Sequence, residues 1–465
     1  MPADPTNQVP VVIAGTGPAG LVAAVTLARN GVRSLLVERN QGLSPLPRAT
    51  AVSTRTMELL RSWGLEDEVR AGGVDVEWQL WTCRTLAESA GGMAIPIGLP
   101  TREQSSMISP SSPACVPQDH LEPVLLRHLL TQGGRAELGV ETIGVEAVRD
   151  GLIATLRDVA TQSVRRVRAR YVIGADGAHS RVRTALGIAM HGPDRLAEAG
   201  SAVFRAPLWE LLGDRRYGIY DIALPEAAGV MLPAGPGGRW LYGTVWQPGE
   251  RDGAELTEER FAELIRLAAG VPDLQPQIER TGLFTFAAQL AERFRQGNAF
   301  LIGDAAHRVT PRGGTGMNTA IQDGYDLGWK LGWVLNGWAD GSLLDTYESE
   351  RRPVAQHNVE RSADPFGSRR NPQGEVHADL GGRIPHVRVP QADGLVSTLD
   401  MLSPGYTLFT AADDAPVHDP AAAGAPVAVC RVDPVVARAL GVPGGGALMV
   451  RPDGYPAREL TAVAA

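Results

Sequence analysis

Cysteine is scarce in this 465-residue chain. Cys83, Cys115 and Cys430 stand far apart with no CxxC pair, which excludes a disulfide framework and a thiolate zinc cluster and makes a reducing cytosol the expected compartment. No metal is expected. Lysine is scarcer still: Lys330 is the only one among 44 basic residues, so Schiff-base chemistry has a single candidate, on a stretch that reads as packed helix. Positive charge is outweighed, and a net charge of -8 argues against nucleic acid as a partner. Long apolar runs are missing too. The stretch from Val9 to Ala28 is broken by Gly15-Thr16-Gly17-Pro18-Ala19-Gly20 and no basic residue precedes Arg29, so it reads as neither a signal peptide nor a membrane span. What is present, 44% hydrophobic and 21% charged residues, is the balance of a globular protein at a length beyond one core.

The first organised unit is an apolar strand, Val11 to Ala14, a glycine turn, an Ala/Leu/Val helix to about Asn30, and a second strand from Ser34 to Glu38. This is a beta-alpha-beta unit and implies a parallel sheet. Gly15, Gly17 and Gly20 stand in GxGxxG register at the strand-to-helix junction. The first allows a tight turn, the second lets backbone approach a pyrophosphate, and the third lets helix pack on strand. The amides and dipole of the helix from Pro18 can meet two phosphate charges, with Arg48 as a second clamp. Glu38 ends the second strand, where a carboxylate can accept from the hydroxyls of an adenosine ribose. Dinucleotide binding is therefore expected.

Further along, Gly64 to Val116 is rich in Gly, Ser and Pro and reads as irregular covering structure, and Gln118 to Gly133 reads as a helix. Residues 187–285 carry candidate strands around Ser201 to Arg205, Tyr217 to Ala223, Gly229 to Pro233 and Trp240 to Trp246, which predicts a mainly antiparallel sheet. A strand from Ala299 to Ile302 then leads into Gly303-Asp304-Ala305-Ala306-His307, a glycine-rich loop and helices over Met317 to Leu335 and Leu344 to Asn358. The expected organisation is a discontinuous Rossmann-like domain over 1–186 and 286–366, a second domain over 187–285, and a C-terminal module over 367–465.

Three separated elements now stand together: Gly15 to Gly20 with Glu38; Gly174-Ala175-Asp176-Gly177 with Ser180 and Arg183; and Gly303 to His307 with Pro311 and Gly313-Gly314-Thr315-Gly316-Met317-Asn318. This set resembles the signature of class A FAD-dependent aromatic hydroxylases, the family of para-hydroxybenzoate and phenol hydroxylases. Arg48-Ala49-Thr50, Arg55-Thr56-Met57-Glu58 and Pro117 to Glu122 look most like the branch that tailors aromatic polyketides. That branch commonly carries a degenerate thioredoxin-like C-terminal module, and Ala447 to Gly454 is similar to the end of one.

The resemblance implies FAD as cofactor, NADPH or NADH and O2 as co-substrates, and a small aromatic or polycyclic substrate. The implied chemistry is oxygen transfer from a C4a-hydroperoxyflavin to an electron-rich ring carbon. Baeyer-Villiger oxygenation of a ketone stays open as the alternative within the family. The implied cofactor residues are Gly15, Gly17, Pro18, Ala19, Gly20, Glu38, Arg39, Arg48, Gln118, Asp176, Gly303, Asp304, Pro311, Gly314, Gly316, Met317 and Asn318. Gln118 is implied along the ribityl chain or ring, Asp304 at a ribityl hydroxyl, and the Gly316 to Asn318 amides at the N1 and C2 carbonyl edge.

Bland readings stay open for Asp304 and Asp176 as turn caps and for His307 as a structural hydrogen-bonding group. No catalytic base is visible. Tyr217, Met231, Trp246 and Arg312 are the candidate substrate contacts, with Tyr220, Trp240 and Tyr242 beside them, and the sheet rather than the C-terminal tail is expected to decide the substrate. A halogenase would need a lysine between flavin and substrate, a non-catalytic flavin binder is the rival of another class, and a homodimer is left open.

Overall fold

The computed structural model describes residues 8–250, 252–391, 394–411, 424–442 and 446–457. Five helices organise it: α1 (Pro18–Arg29), α2 (Gln118–Thr131), α3 (Glu258–Ala269), α4 (Gly316–Leu335) and α5 (Asp345–Ala363). Strands 299–301, 164–174, 8–14, 34–38 and 135–138 lie side by side and parallel. Val11, Val12 and Ile13 are wholly buried at the centre, as a parallel strand covered on both faces requires. Ala14 pairs with Gly174 on one side and Val37 on the other, so the first glycine turn, the end of the second strand and the Gly174 turn open at one edge. Ligands of doubly wound sheets bind at that carboxyl edge.

Glycines at every fourth position of α4 bring it hard against α1. A Cβ on Gly324 would lie 2.3 Å from Ala19 O, one on Gly328 2.7 Å from Thr26, and one on Gly332 2.8 Å from Asn30. The two helices therefore run in the same direction, and α4 begins about five residues, roughly 8 Å at 1.5 Å per residue, before α1 does. Two helix N-termini are thus held apart along one line by close backbone packing.

The second sheet has the strand order 277–286, 197–205, 239–246, 229–233, 217–222, 77–83, 93–95 and is antiparallel except where 77–83 meets 217–222. The mainly antiparallel sheet expected from sequence is present. Its last two strands come from the stretch that reads as irregular, which is a correction. Within Glu77–Cys83, Trp78, Leu80 and Cys83 are buried, and a period-2 pattern this short does not stand out among the surrounding Gly, Ser and Pro residues. The chain's second core lies between one face of this sheet and α3, where Phe261, Leu264 and Ile265 pack on Tyr220, Trp240 and Tyr242.

The C-terminal module is small. Tyr406–Thr410 pairs parallel with Val427–Arg431 and antiparallel with Ala447–Val450, around a core that includes Phe409, Leu448 and Val450. Two ion pairs seat it on the rest: Arg383 meets Glu58 in full burial, and Arg451 meets the half-buried Glu350 at 2.8 Å. Among the described residues no helix is long and apolar enough to cross a membrane.

Candidate active site

The phosphate end of the site is built by three glycines with different duties. Gly15 has φ +105, and a Cβ there would lie 2.3 Å from Ala175 O; a Cβ on Gly20 would lie 2.0 Å from Gly15 O. Both are packing requirements. A Cβ on Gly17 would meet nothing within 4 Å, so the second glycine faces open space. Pro18 and Ala19 open α1 directly behind it, with no side chain capping the first-turn amides, which leaves unpaired donors and a positive helix end toward that space. Glu38 sits at its rim. One carboxylate oxygen accepts from the Thr16 amide and hydroxyl, both at 3.1 Å, and the other accepts from the Asn40 amide at 2.9 Å. Arg39 and Arg48 are exposed beside it.

The middle of the site joins α2 to the Gly303 turn. Gln118, buried at the start of α2, donates from Nε2 to Glu122 Oε1 at 2.7 Å. Burial pushes the Glu122 carboxyl up to about 7, against the opposing pull of that hydrogen bond and of Arg48. Asp304 reaches open space and yet is hemmed in by protein, the situation of a group that lines a deep cleft. Loss of solvation raises its pKa, opposed by His307, Arg48 and Arg308. Arg48 favours the charged form of both Glu122 and Asp304. The Asp304 turn is pinned from behind by Asp323 of α4. Its Oδ2 accepts from the Gly303 amide at 3.2 Å and lies 2.6 Å from His307 Nε2, while its Oδ1 accepts from Arg351 at 2.8 Å. Burial alone would raise Asp323, but His307 and Arg351 outweigh it and hold the carboxyl below the ordinary range. His307 is therefore committed to architecture.

The far end is the loop from Pro311 to Thr315. Gly313 and Gly314 have φ +84 and +63, which only glycine adopts without strain. α4 starts at Gly316 with no side-chain cap, and the Thr315 hydroxyl is buried without a partner. A buried donor with no acceptor and three free first-turn amides at Gly316, Met317 and Asn318 suit an electron-rich ring edge. The Asn318 side chain is occupied otherwise: Oδ1 accepts from the Ser53 amide at 2.8 Å, and Nδ2 donates to Ala51 O at 2.9 Å and Gly314 O at 3.0 Å. It stitches the loop in place.

Asp176, expected at the cofactor, is spent elsewhere. Its carboxylate accepts from the Ser180 hydroxyl and from the Arg181 and Val182 amides at 2.7 and 3.1 Å, capping the short helix Arg181–Ala185. The substrate candidates also separate. Met231 and Trp246 point into the core beneath α3, and Tyr217 stacks on Trp81 at 4.5 Å. The strand pleat sends every second residue to the opposite face. That face carries Val230, Leu232, Leu241, Val245 and Phe284, and it is open towards the 277–286 edge: Val245 is 47% and Phe284 42% exposed on either side of Ala199. Two corners tie it to the cofactor side. Arg239 pairs with Asp119 of α2 at 2.8 Å, and Arg312 lies over the Phe286 ring at 5.3 Å.

The chain matches the model of an FAD binding domain over residues 8–362 and that of the aromatic-ring hydroxylase C-terminal region over 377–462. It belongs to the FAD-dependent aromatic-ring hydroxylases. A putative polyketide hydroxylase of Streptomyces halstedii is 33% identical to it over 98% of this chain and 94% of that one. Among solved structures, aklavinone-11 hydroxylase with FAD and aklavinone shares 31% identity at a TM-score of 0.84, covering 98% of this chain and 96% of that one. The flavin-dependent monooxygenase PieE with FAD and substrate reaches 0.86 at 27% identity, with the same coverage of both chains. The hydroxylase is thus an FAD enzyme, a monooxygenase using O2 and a reduced nicotinamide. Two groups that bear on its site do not stand out in the sequence as cofactor residues. Glu122 stands one helical turn after Gln118, a spacing that could have marked it; Asp323 has no local signal, because it acts from α4 on a turn twenty residues earlier.

Proposed function

We propose that this hydroxylase adds one oxygen atom to a phenolic, fused-ring substrate of polyketide type, held between the open face of the second sheet and the Pro311 to Thr315 loop. The supporting observation is that open face, which leaves Val245 and Phe284 in contact with solvent while the opposite face buries Trp240, Tyr242 and Trp246 in the core beneath α3. A flat apolar ligand is the chemistry that such a face takes, and relatives crystallised with aklavinone or another substrate share the fold. In this reading the substrate part is residues 187–285 together with strands 77–83 and 93–95, and the cofactor part is the rest of 1–186 with 286–366.

The residues fit the cofactor. The Gly17 opening and the α1 amides would take the pyrophosphate, Glu38 the adenosine ribose, Asp304 and Gln118 the ribityl chain, and the uncapped α4 N-terminus the ring. The roughly 8 Å offset between the two helix ends suits groups separated by a ribityl chain. When bound, FAD supplies the activation of oxygen. The chain's own work is to orient the acceptor carbon, keep water out and hold the loop amides still. The balance is one aromatic C–H, O2, NADPH and a proton consumed, with one phenol, NADP+ and water formed. Arg312, half-buried beside Phe286, stands at one corner of the open face and would favour an acidic phenol. A cytosolic place suits the unpaired cysteines.

The test is incubation with a panel of fused-ring phenols, NADPH and 18O2, read by mass spectrometry. A gain of one labelled oxygen on a ring carbon is expected. A ring-expanded lactone would instead favour Baeyer-Villiger oxygenation, and NADPH consumption unaffected by any aromatic would sink the reading.

A further inference from the structure

The glycine loop at the ring end of the site is held from outside the region matched by the FAD domain. Helix Pro372–Leu380 opens the C-terminal module and touches the loop's supports at two points. Asp379 Oδ1 accepts from the Ser53 hydroxyl at 2.8 Å and from Gln322 of α4 at 3.3 Å, while Oδ2 accepts from the Arg55 amide at 3.1 Å. Ser53 in turn donates its amide to Asn318, which holds Gly314 O and Ala51 O. One turn earlier on the same helix, Glu375 pairs with Arg361 at 3.1 Å. The Arg361 guanidinium packs so close to Gly313 that a Cβ there would lie 3.2 Å from its central carbon. Gly313 and Gly314, both in left-handed conformations, are thus braced by the same helix, the first through Arg361 and the second through Ser53 and Asn318.

We propose that Asp379 is a positioning residue for the flavin-side loop, with Glu375 as its second arm, so that the C-terminal module takes part in oxygen transfer by fixing where the α4 N-terminal amides point. Asp379 touches neither cofactor nor substrate; it acts through Ser53 and Asn318. This gives the tail a part in coupling while leaving the choice of substrate, as expected from sequence, to the sheet. It rests on the functional reading only in taking the loop to face the flavin.

The measurement uses the full chain and three variants: Asp379→Asn, which keeps shape and removes charge; Glu375→Gln, which loosens the second arm; and Arg61→Gln, which breaks a different contact with the module, the 2.8 Å pair with Asp400. Hydrogen exchange of residues 313–318 in cofactor-free protein is followed together with the ratio of hydrogen peroxide to NADPH consumed by the holoenzyme. Asp379→Asn is expected to speed loop exchange at least about tenfold and to raise the peroxide ratio at least about twofold, with Glu375→Gln smaller in the same direction and Arg61→Gln like wild type. Wild-type exchange and coupling in folded Asp379→Asn would overturn the proposal. So would an equal change in Arg61→Gln, since that would mean general loosening of the module. Failure of wild type to bind FAD would overturn the functional reading instead.

Discussion

Glu122 shows how much a single residue can do without being a conspicuous motif. Its carboxyl is neutral at low pH in both folded and unfolded chains, so it carries no penalty below about 4.5, its ordinary value. As pH rises through the window up to about 7, the unfolded chain ionises first and the folded state loses about 3 kcal/mol relative to it. Glu122→Gln in cofactor-free protein is therefore expected to gain stability over wild type between pH 4.5 and 7 and to keep a constant advantage above that; urea unfolding across pH checks this, and parallel profiles would contradict it. The same scale shows what sequence can and cannot yield. Gly15, Gly17, Gly20 and Glu38 are legible because a turn, a phosphate and a ribose each demand a residue type at a fixed spacing, whereas Asp304 comes in only through the family resemblance. Asp176 sits in as clear a motif, but whether its carboxylate faces a ligand or caps its own helix depends on the amides of Arg181 and Val182, and no spacing rule reports that choice.

At the scale of elements, the α1 and α4 N-termini are placed by backbone contact, and glycines divide into those that pack and those that make room. Gly17→Leu fills an open space and needs no unusual dihedral, since Gly17 has φ -64. It is expected to change stability by less than about 1 kcal/mol while weakening FAD binding at least about a hundredfold. Gly20→Ala forces a Cβ to 2.0 Å from Gly15 O and is expected to lower the melting temperature as well as the affinity. Thermal melts beside flavin fluorescence titrations separate the two, and equal effects from both variants would remove the distinction. The helices and most strands around this junction are legible because their periodicity is long or their turns glycine-marked. The strand Glu77–Cys83 is not, since its longer partner Tyr217–Ile222 lies far along the chain and its near partner, 93–95, is only three residues long.

Across the whole molecule, the C-terminal module is joined to the catalytic body by charges buried in the joint. Lys330 Nζ lies 2.8 Å from Asp326 and 2.9 Å from Glu350, and Glu350 also takes Arg451 of the module. The single lysine is thus structural, as its place on a packed helix implies, and its removal leaves the buried Asp326 without its cation while Glu350 keeps Arg451. Lys330→Met is expected to cost about 3–5 kcal/mol of unfolding free energy, measured by urea denaturation; wild-type stability would contradict the role. The layered α/β plan was legible at this scale, but which face of the second sheet meets the substrate was not. Tyr217, Met231 and Trp246 stand out as large residues in a chain with few aromatics, yet large residues are also what a core under α3 needs, and the face proposed for the substrate is the one left with Val245 and Phe284 uncovered.

The most direct test of that assignment is the ratio of hydroxylated product to NADPH consumed, with one fused-ring phenol, in Phe284→Ala against Met231→Leu. Phe284→Ala is expected to divert most NADPH to hydrogen peroxide because the acceptor carbon is no longer held, while Met231→Leu, a volume-conserving change in the core, stays coupled like wild type. Wild-type coupling in Phe284→Ala together with uncoupling in Met231→Leu would place the substrate on the other face and contradict the account.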